Sequence, residues 1–547
     1  MYLKLNGVEM CCRGEERWGD LLGRLPDGGA GALGVFVQGR AHSLADRVEE
    51  YAFARVLTYA DEEGRRVYER SLRFVFLCAA RRALPGVRMR VEHSIRRGIY
   101  IVPDAPITQD AVDALKREMR AIVAADLPFE KRAISREDAT ALFRARGDVD
   151  KVRLLHYRPY EHFQLYECDG MPEYFYGEMV PSTGYVPVFD LRLLLPGLAL
   201  LLPDRADPSR ASRLVELPKL MRTFAESARW NEILGISNVA DLNEMIEKRT
   251  LREFIRVNEE LHEISLVNIA QKFLASGARL ILVAGPSSSG KTTMTHRLSI
   301  LLRAMGHLPM KISLDDYYLD RDAIPVDENG ERDLENPDTL DLKLLGEHLV
   351  ALLQGKEIEA PQFDFVTGKR SEKTHKLRAG SDQPILIEGI HALNDRLTSQ
   401  VPREMKFMIY ISALTTINLD DHNRIRTTDA RLLRRMVRDS LFRGTPPDET
   451  MDMWDSVRAG EEKYIFPYQE RADVMFNSSL SYELAILKKY AYPMLAQISP
   501  ESRNYTLARR LVKFLNYVHT ADVENEIPLN SILREFIGGC CFYQSLD

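Results

Sequence analysis

Eight residues, Gly285-Pro-Ser-Ser-Ser-Gly290-Lys291-Thr292, satisfy the pattern G-x-x-x-x-G-K-[ST], whose chemistry is phosphate binding. Backbone N–H groups of such a loop wrap phosphate oxygens, and a helix starting just after it adds positive potential. Lys291 is expected to neutralise β/γ-phosphate charge, and the Thr292 hydroxyl to sit on Mg²⁺. Two acids downstream complete a reaction centre on paper. Asp315 opens Asp-Asp-Tyr-Tyr318 and can accept a proton from an attacking hydroxyl or hold Mg²⁺. Glu388 follows "PILI", where a metal-organising acid of a nucleotide site is expected. Arg431, Arg434, Arg435 and Arg438 recur at i, i+3, i+4, i+7. That spacing predicts one basic helix face, either a solvated surface or a lid closing over triphosphate and stabilising the transferring phosphoryl group. No Asn-Lys-x-Asp guanine signature occurs, which weakens a GTPase reading.

These groups need elements to hold them. "RLILVAG" reads as a buried strand ending in glycine, and "KTTMTHRLSILLRAMG" as the helix after the loop. "MKISL" and "PILIEGIHAL" read as further strands, placing Asp315 and Glu388 at carboxyl ends, where doubly wound sheets bind ligands. The chain has 547 residues, more than one core usually holds, so several domains are expected. A net charge of -6 gives no global drive toward nucleic acid or an anionic membrane. Six cysteines, two of them adjacent pairs, form neither a disulfide framework nor a CxxC site, and no signal peptide is visible. The most apolar stretch, Leu191 to Asp204, is too short to span a bilayer and reads as a buried hairpin.

From about residue 279 to 477 the chain resembles the uridine kinase/phosphoribulokinase family. The resemblance rests on "GPSSSGKTT", "LDDYYLD", "ENPDTLDLKLL", "PQFDFVTGKR", "ILIEGIHAL", "DARLLRRMVRDSLFRG" and "ERADVMFN", in matching order and spacing. It implies an α/β P-loop kinase with a doubly wound, mostly parallel sheet. It implies ATP and Mg²⁺ as cofactors and Asp315 as general base on a sugar 5′-hydroxyl. Nucleotide contacts would come from Gly285, Ser287, Ser288, Ser289, Gly290, Lys291, Thr292, Thr293 and Arg443. Metal contacts would come from Thr292, Glu388 and Asp315. Arg435 and Arg438 would act in catalysis. Asp315, Tyr318, Glu335, Phe363, Arg370 and Arg435 would face the nucleoside. The chain departs from the family where the base is read. Glu335 stands for the ribose-holding aspartate, Phe363 for a tyrosine, Gly368 for a base-contacting histidine, and Thr445 for an arginine. Either Arg370 or a residue of the N-terminal half reads the base instead, or the base is read poorly; of the two, base discrimination weaker than in a standard uridine kinase is the expectation.

A second resemblance, over roughly residues 1 to 205, is to the N-terminal region of threonyl-tRNA synthetase. It implies a TGS-like β-grasp unit (1–62) and an α+β editing-like domain (63–205). "YLKLNG" and "GVFVQGRAHSLADRV" carry the first; "LKREMRAIVAADLPFEKRAISREDATALF" and "VPSTGYVPVFDL" carry the second. The family's metal ligands correspond here to Arg70, Phe74, Phe175 and Met179, none able to replace imidazole or thiolate on zinc. His93 lacks a partner four residues on and reads as structural. A helical connector (206–277), the kinase-like domain (278–480) and a C-terminal helical extension (481–547) complete the expected order.

The expectation is a cytoplasmic, homo-oligomeric ATP- and Mg²⁺-dependent kinase acting on uridine or cytidine. The N-terminal half would be a binding module with room for RNA contact, and no membrane is involved. Two rivals stay open: phosphorylation of another small hydroxyl compound, and a non-catalytic ATP sensor regulating RNA binding.

Overall fold

Leu280–Ala284 is buried along its whole length, so the strand must lie inside a sheet covered on both faces. The computed structural model, which describes residues 2–13, 15–48, 53–324, 326, 332–364 and 367–542, shows that sheet. Phe365 and Val366 of the quoted "PQFDFVTGKR" lie outside the described residues. Leu280–Ala284 pairs in parallel with Ile385–Glu388 on one side and Lys406–Ser412 on the other. Met310–Ser313 and Val474–Asn477 form the edges, also in parallel. The first strand in sequence is thus central, and the loop after it opens where the strand order reverses, the ligand crevice of such sheets. The helix Lys291–Ala304 leaves that loop and buries Met294, Leu298 and Leu302.

The helices Pro218–Ile233, Val239–Glu247 and Leu251–Ser276 precede this sheet and pack on it. Leu266, Ile269 and Phe273 share a core with Met294 and Leu298, and Arg297 reaches Glu263 at 2.8 Å. After the sheet, Glu483–Ala496 and Tyr505–Leu515 join the same core.

Among the described residues, the N-terminal half contains three sheets. Val8–Cys11, Tyr2–Leu5, Phe53–Leu57, Gly34–Val37 and Arg40–His42 make one, in that order, parallel only between Tyr2–Leu5 and Phe53–Leu57. An antiparallel four-stranded sheet holds the expected hairpin, Asp190–Leu194 with Gly197–Leu201, against Gly98–Pro103 and Met89–Ile95. Met171–Glu173, His162–Cys168 and Glu130–Ser135 form the third. The helix Gln109–Ala124 buries Val112, Leu115, Met119 and Ile122 completely, as its periodicity required. His93 is buried and stacked on Phe224 at 3.6 Å, and burial keeps its imidazole neutral, with a pKa pushed down to about 3. Among the described residues no helix is long and apolar enough to cross a membrane, and the cysteines are free thiols.

The two halves are locked together by charge. Glu69 accepts from Arg424 at 3.2 Å and Arg426 at 2.7 Å. Lys151 meets Glu173 at 2.8 Å and Asp420 at 3.2 Å, all three buried. The Asn418 amide donates to the Val91 carbonyl at 2.8 Å.

Candidate active site

The loop after the central strand needs its glycines for space and for backbone. A Cβ on Gly285 would stand 2.0 Å from the Ile411 carbonyl oxygen of the neighbouring strand. Gly290 has φ +82°, and a Cβ there would meet Ile532 at 2.4 Å. Even Ser288 holds φ +59°, a strained value for a side-chain-bearing residue.

The structure corrects the reading of the arginine helix as a basic lid. Thr427–Phe442 is wedged into the core through Leu432, Leu433, Met436 and Val437, and Arg431 and Arg434 are themselves 1% and 0% exposed. A 3.6-residue pattern shows which side chains share a face but not what covers it. Arg431 pairs with Glu461 and donates to the Ser287 carbonyl at 3.1 Å, while the Ser287 N–H donates to the same glutamate at 3.1 Å. Arg434 pairs with Glu483 and donates to the carbonyls of Ser478 at 2.7 Å and Ser288 at 3.4 Å. The Ser478 hydroxyl donates to the Ser289 carbonyl at 2.5 Å. Three successive loop carbonyls are therefore pinned from outside. Because C=O and the next N–H oppose each other across a trans peptide, this turns the N–H groups of Ser288 and Gly290 to the other side.

The remaining arginines do gather at the cleft. Asp439, which the sequence reading passed over, is buried and collects Arg435 at 3.3 Å, Arg438 at 2.8 Å and Arg443 at 3.6 Å. One carboxylate for three guanidiniums leaves surplus positive charge. Arg435 also donates to the Ser287 hydroxyl at 2.9 Å, tying the group to the loop.

On the other side of the loop stand Lys291, Thr292, Asp315 and Glu388. Lys291 donates to the carbonyls of Gly285 at 3.0 Å and Pro286 at 3.1 Å. The Thr292 hydroxyl lies 3.1 and 3.2 Å from the two Glu388 oxygens. Burial lowers the Lys291 pKa, against the pull of Glu388 and Asp315. Loss of hydration raises Glu388 to about 7, with Lys291 opposing. Asp315 keeps an open surface at the cleft, yet the protein packed around it raises its pKa, Lys291 again opposing. Opposite charges within reach of each other and of a phosphate cradle make a site that can bind polyanions and move a proton.

Glu335 sits further along the cleft, its Cβ facing Gly460, where an added Cβ would approach within 2.3 Å. Desolvation and then Glu461 raise its carboxyl to about 7, with Arg435 and Lys291 pulling it down. Tyr318 lies within electrostatic reach of both Asp315 and Glu335, and its ring is 5.6 Å from Phe363. His391, missed from sequence, is buried beside them; burial keeps it neutral, lowered to about 4. Its only signal was a polar residue inside the apolar run "EGIHAL".

Arg370 is engaged within the protein. Its guanidinium donates to Asp341 at 3.2 Å and to the Tyr317 and Tyr318 carbonyls at 3.2 Å, so it braces the turn carrying Asp315. Gly368 has φ +70°, and a Cβ there would strike Arg321 at 2.6 Å, so Arg321 occupies the space a histidine side chain would need.

The C-terminal segment, which carried no sequence signal, reaches this site. Glu535 accepts from the Thr293 hydroxyl at 2.7 Å and from the Thr293 N–H at 3.3 Å, at the first turn of the helix after the loop. Phe536 is buried under the Arg434 guanidinium, 5.0 Å from its ring centre.

The residues fit a bound nucleotide and Mg²⁺. The Ser288 and Ser289 hydroxyls are buried without a hydrogen-bond partner, and Thr292 and Glu388 offer hard oxygen donors side by side.

Residues 280–484 match the model of the Phosphoribulokinase / Uridine kinase family. The chain is 31% identical over 208 residues to uridine kinase from Staphylococcus aureus (strain JH9), covering 38% of this chain and 91% of that protein. Among solved structures it is similar to one from Silicibacter described as a candidate fructose transport system kinase, at 20% identity and TM-score 0.29, over 39% of this chain and 98% of that one. A structure described as a possible uridine kinase from Bacillus stearothermophilus matches at 20% identity and TM-score 0.27, with the same coverage.

Proposed function

We propose that this chain, which belongs to the phosphoribulokinase/uridine kinase family, transfers the γ-phosphoryl group of ATP to the 5′-hydroxyl of a nucleoside, uridine or cytidine. The observation that carries this is the meeting of Lys291, Asp315, Thr292 and Glu388 on one side of a phosphate cradle with the Asp439-gathered arginines on the other. A pure ATP sensor needs no carboxylate poised for a proton.

In this reading Asp315 takes the proton of the attacking hydroxyl, and its raised pKa makes it a more competent base. Lys291 leaves its loop carbonyls for the β/γ-phosphates. Arg435, Arg438 and Arg443 face the charge that spreads over the transferring group. Thr292 and Glu388 would hold Mg²⁺, which supplies charge neutralisation across the phosphates. Glu335 accepts from the ribose hydroxyls, and Phe363 and Tyr318 offer ring faces to the base. With Arg370 committed to its turn and Arg321 filling the place beside Gly368, base discrimination is weak. The same features keep a second reading in view, a different small hydroxyl acceptor. An ATP-consumption assay against a panel of nucleosides separates the two. Asp315→Asn is expected to keep ATP binding and lower turnover about 10²–10⁴-fold; wild-type turnover would overturn the base assignment.

The N-terminal half is proposed as a TGS-like unit followed by an editing-like domain that has lost its metal site. In support, Phe74 and Phe175 pack as tilted rings with centres 5.3 Å apart, Met179 is fully buried, and Arg70 donates to the Glu178 carbonyl, so the four positions form packed core. RNA contact, homo-oligomeric assembly and a cytoplasmic setting belong to this reading as expectations. Elemental analysis showing stoichiometric zinc would refute the loss of the metal site.

A further inference from the structure

A cavity of about 1020 Å³ lies between the two halves, apart from the cleft just described. Eleven arginines and one lysine line it, against five carboxylates. One wall is N-terminal: the start of the helix Glu62–Ala83, the turn around Arg96 and Arg97, and the loop through Arg205 and Arg213. The other wall is the end of Lys406–Ser412, the first turn of Thr427–Phe442 and the helix Trp454–Gly460. The sequence reading drew nothing from these scattered arginines, which come from segments hundreds of residues apart.

Seven of the twelve cations (Arg66, Arg97, Arg205, Arg210, Arg431, Arg458 and Lys463) have carboxylate partners; the other five are under-compensated. Arg424 and Arg426 share the single carboxylate of Glu69, and the Arg424 Nε is buried without a hydrogen-bond partner. Among the described residues, Arg65 donates only to the carbonyls of Tyr59 and Ala60. Arg96 and Arg213 are exposed at the rim and, among the described residues, form no ion pair. Burial, with Arg66 and Arg424 nearby and only partly offset by Glu69, depresses the Arg426 pKa to about 9. Buried charge of one sign is expensive unless a counter-charge joins it. The cavity also has an apolar shelf, the cluster Leu217, Leu220, Phe224 and Leu414. Its floor includes Arg431, whose partner Glu461 accepts from the Ser287 N–H of the phosphate loop.

We infer that this cavity is a second ligand site, for a small, multiply phosphorylated organic anion whose phosphates meet the arginines and whose apolar body rests on the Leu217–Phe224 shelf. The size suits a single small molecule. Because Arg431 lines the cavity and pairs with Glu461, which holds the loop through the Ser287 N–H, an occupant is positioned to shift the loop's affinity for nucleotide. The inference does not depend on which hydroxyl the kinase cleft phosphorylates.

The test uses the full chain carrying Lys291→Ala, which cripples the phosphate loop. Inorganic tripolyphosphate and UTP are titrated calorimetrically into this variant and into the same variant with Arg96→Glu and Arg213→Glu. Both rim residues are exposed, so their reversal leaves the core intact, and unchanged circular dichroism verifies this. Saturable 1:1 binding of tripolyphosphate, tighter binding of UTP, and a loss of at least about tenfold for both on reversing the rim charges are expected, given modest worth per exposed charge. Absence of saturable binding, or binding indifferent to the rim reversals, overturns the proposal. So does an RNA oligonucleotide binding in a rim-dependent way while tripolyphosphate fails to bind.

Discussion

If Glu335 accepts the ribose hydroxyls, nucleoside binding must release protons near neutral pH. In the free protein its carboxyl is raised from 4.5 to about 7, first by desolvation and then by Glu461. Hydroxyls donating to a carboxylate favour its charged form and return the pKa toward the ordinary range. At pH 6.5 a group with pKa about 7 is about three-quarters protonated, and with pKa about 4.5 it is almost fully ionised, so roughly 0.7 proton should leave per nucleoside bound. At pH 8.5 the release should be near zero. Calorimetry at pH 6.5 in two buffers of different ionisation enthalpy reads this number directly. Glu335→Gln should abolish the release and weaken nucleoside binding by about 10–100-fold, the worth of a hydrogen bond to a charged group. The same shift touches stability. A carboxyl whose folded pKa lies above its unfolded one stabilises the fold fully below about pH 4.5, and that contribution is lost as pH rises through about 7. The loss is at most about 3 kcal/mol and less for the partly open Glu335, so Glu335→Gln should raise the apo melting midpoint at pH 8 and leave it unchanged at pH 4.5. Proton release below about 0.2 in the wild type, or undiminished release in Glu335→Gln, would refute the placement of the ribose.

Three further outcomes follow from the geometry. Glu461→Gln strands Arg431, which is 1% exposed, and should cost about 3–5 kcal/mol, with weaker ATP binding because Ser287 loses its anchor; a change under about 1 kcal/mol in denaturant titration would show that the pair is not what holds the loop. Gly290→Ala forces φ +82° on a side-chain residue and drives its Cβ to 2.4 Å from Ile532, so a loss of about 2–4 kcal/mol and of ATP binding is expected in thermal melts and nucleotide titrations. Glu535→Gln removes a negative charge bonded to the Thr293 N–H at the phosphate end of the helix, and ATP should bind several-fold tighter in fluorescence titration, by about the 0.3–1 kcal/mol of a terminal charge; weaker binding would mean that Glu535 helps to seat the nucleotide.

The sequence by itself determined the phosphate loop, the strands that present Asp315 and Glu388, the helix after the loop and the hairpin Asp190–Leu201, because each is written in a short window of spacing and hydropathy. It also exposed where the chain departs from the family's motifs, since a missing side chain at Gly368 is visible without coordinates. Only the tertiary structure separated the arginines of one helix into buried clamps, Arg431 and Arg434, and cleft residues, Arg435 and Arg438. Periodicity gives direction around a helix axis, whereas the neighbour met in that direction comes from distant chain: Glu461 and Glu483 for the clamps, Asp439 for the cleft set. Arg370 was turned from candidate reader to brace for the same reason, by Asp341 and two carbonyls. The approach of Glu535 to Thr293 and the basic cavity between the halves join segments 242 and more than 300 residues apart, and no local pattern encodes such a meeting. It is fixed by how apolar faces and opposite charges pack once the elements exist.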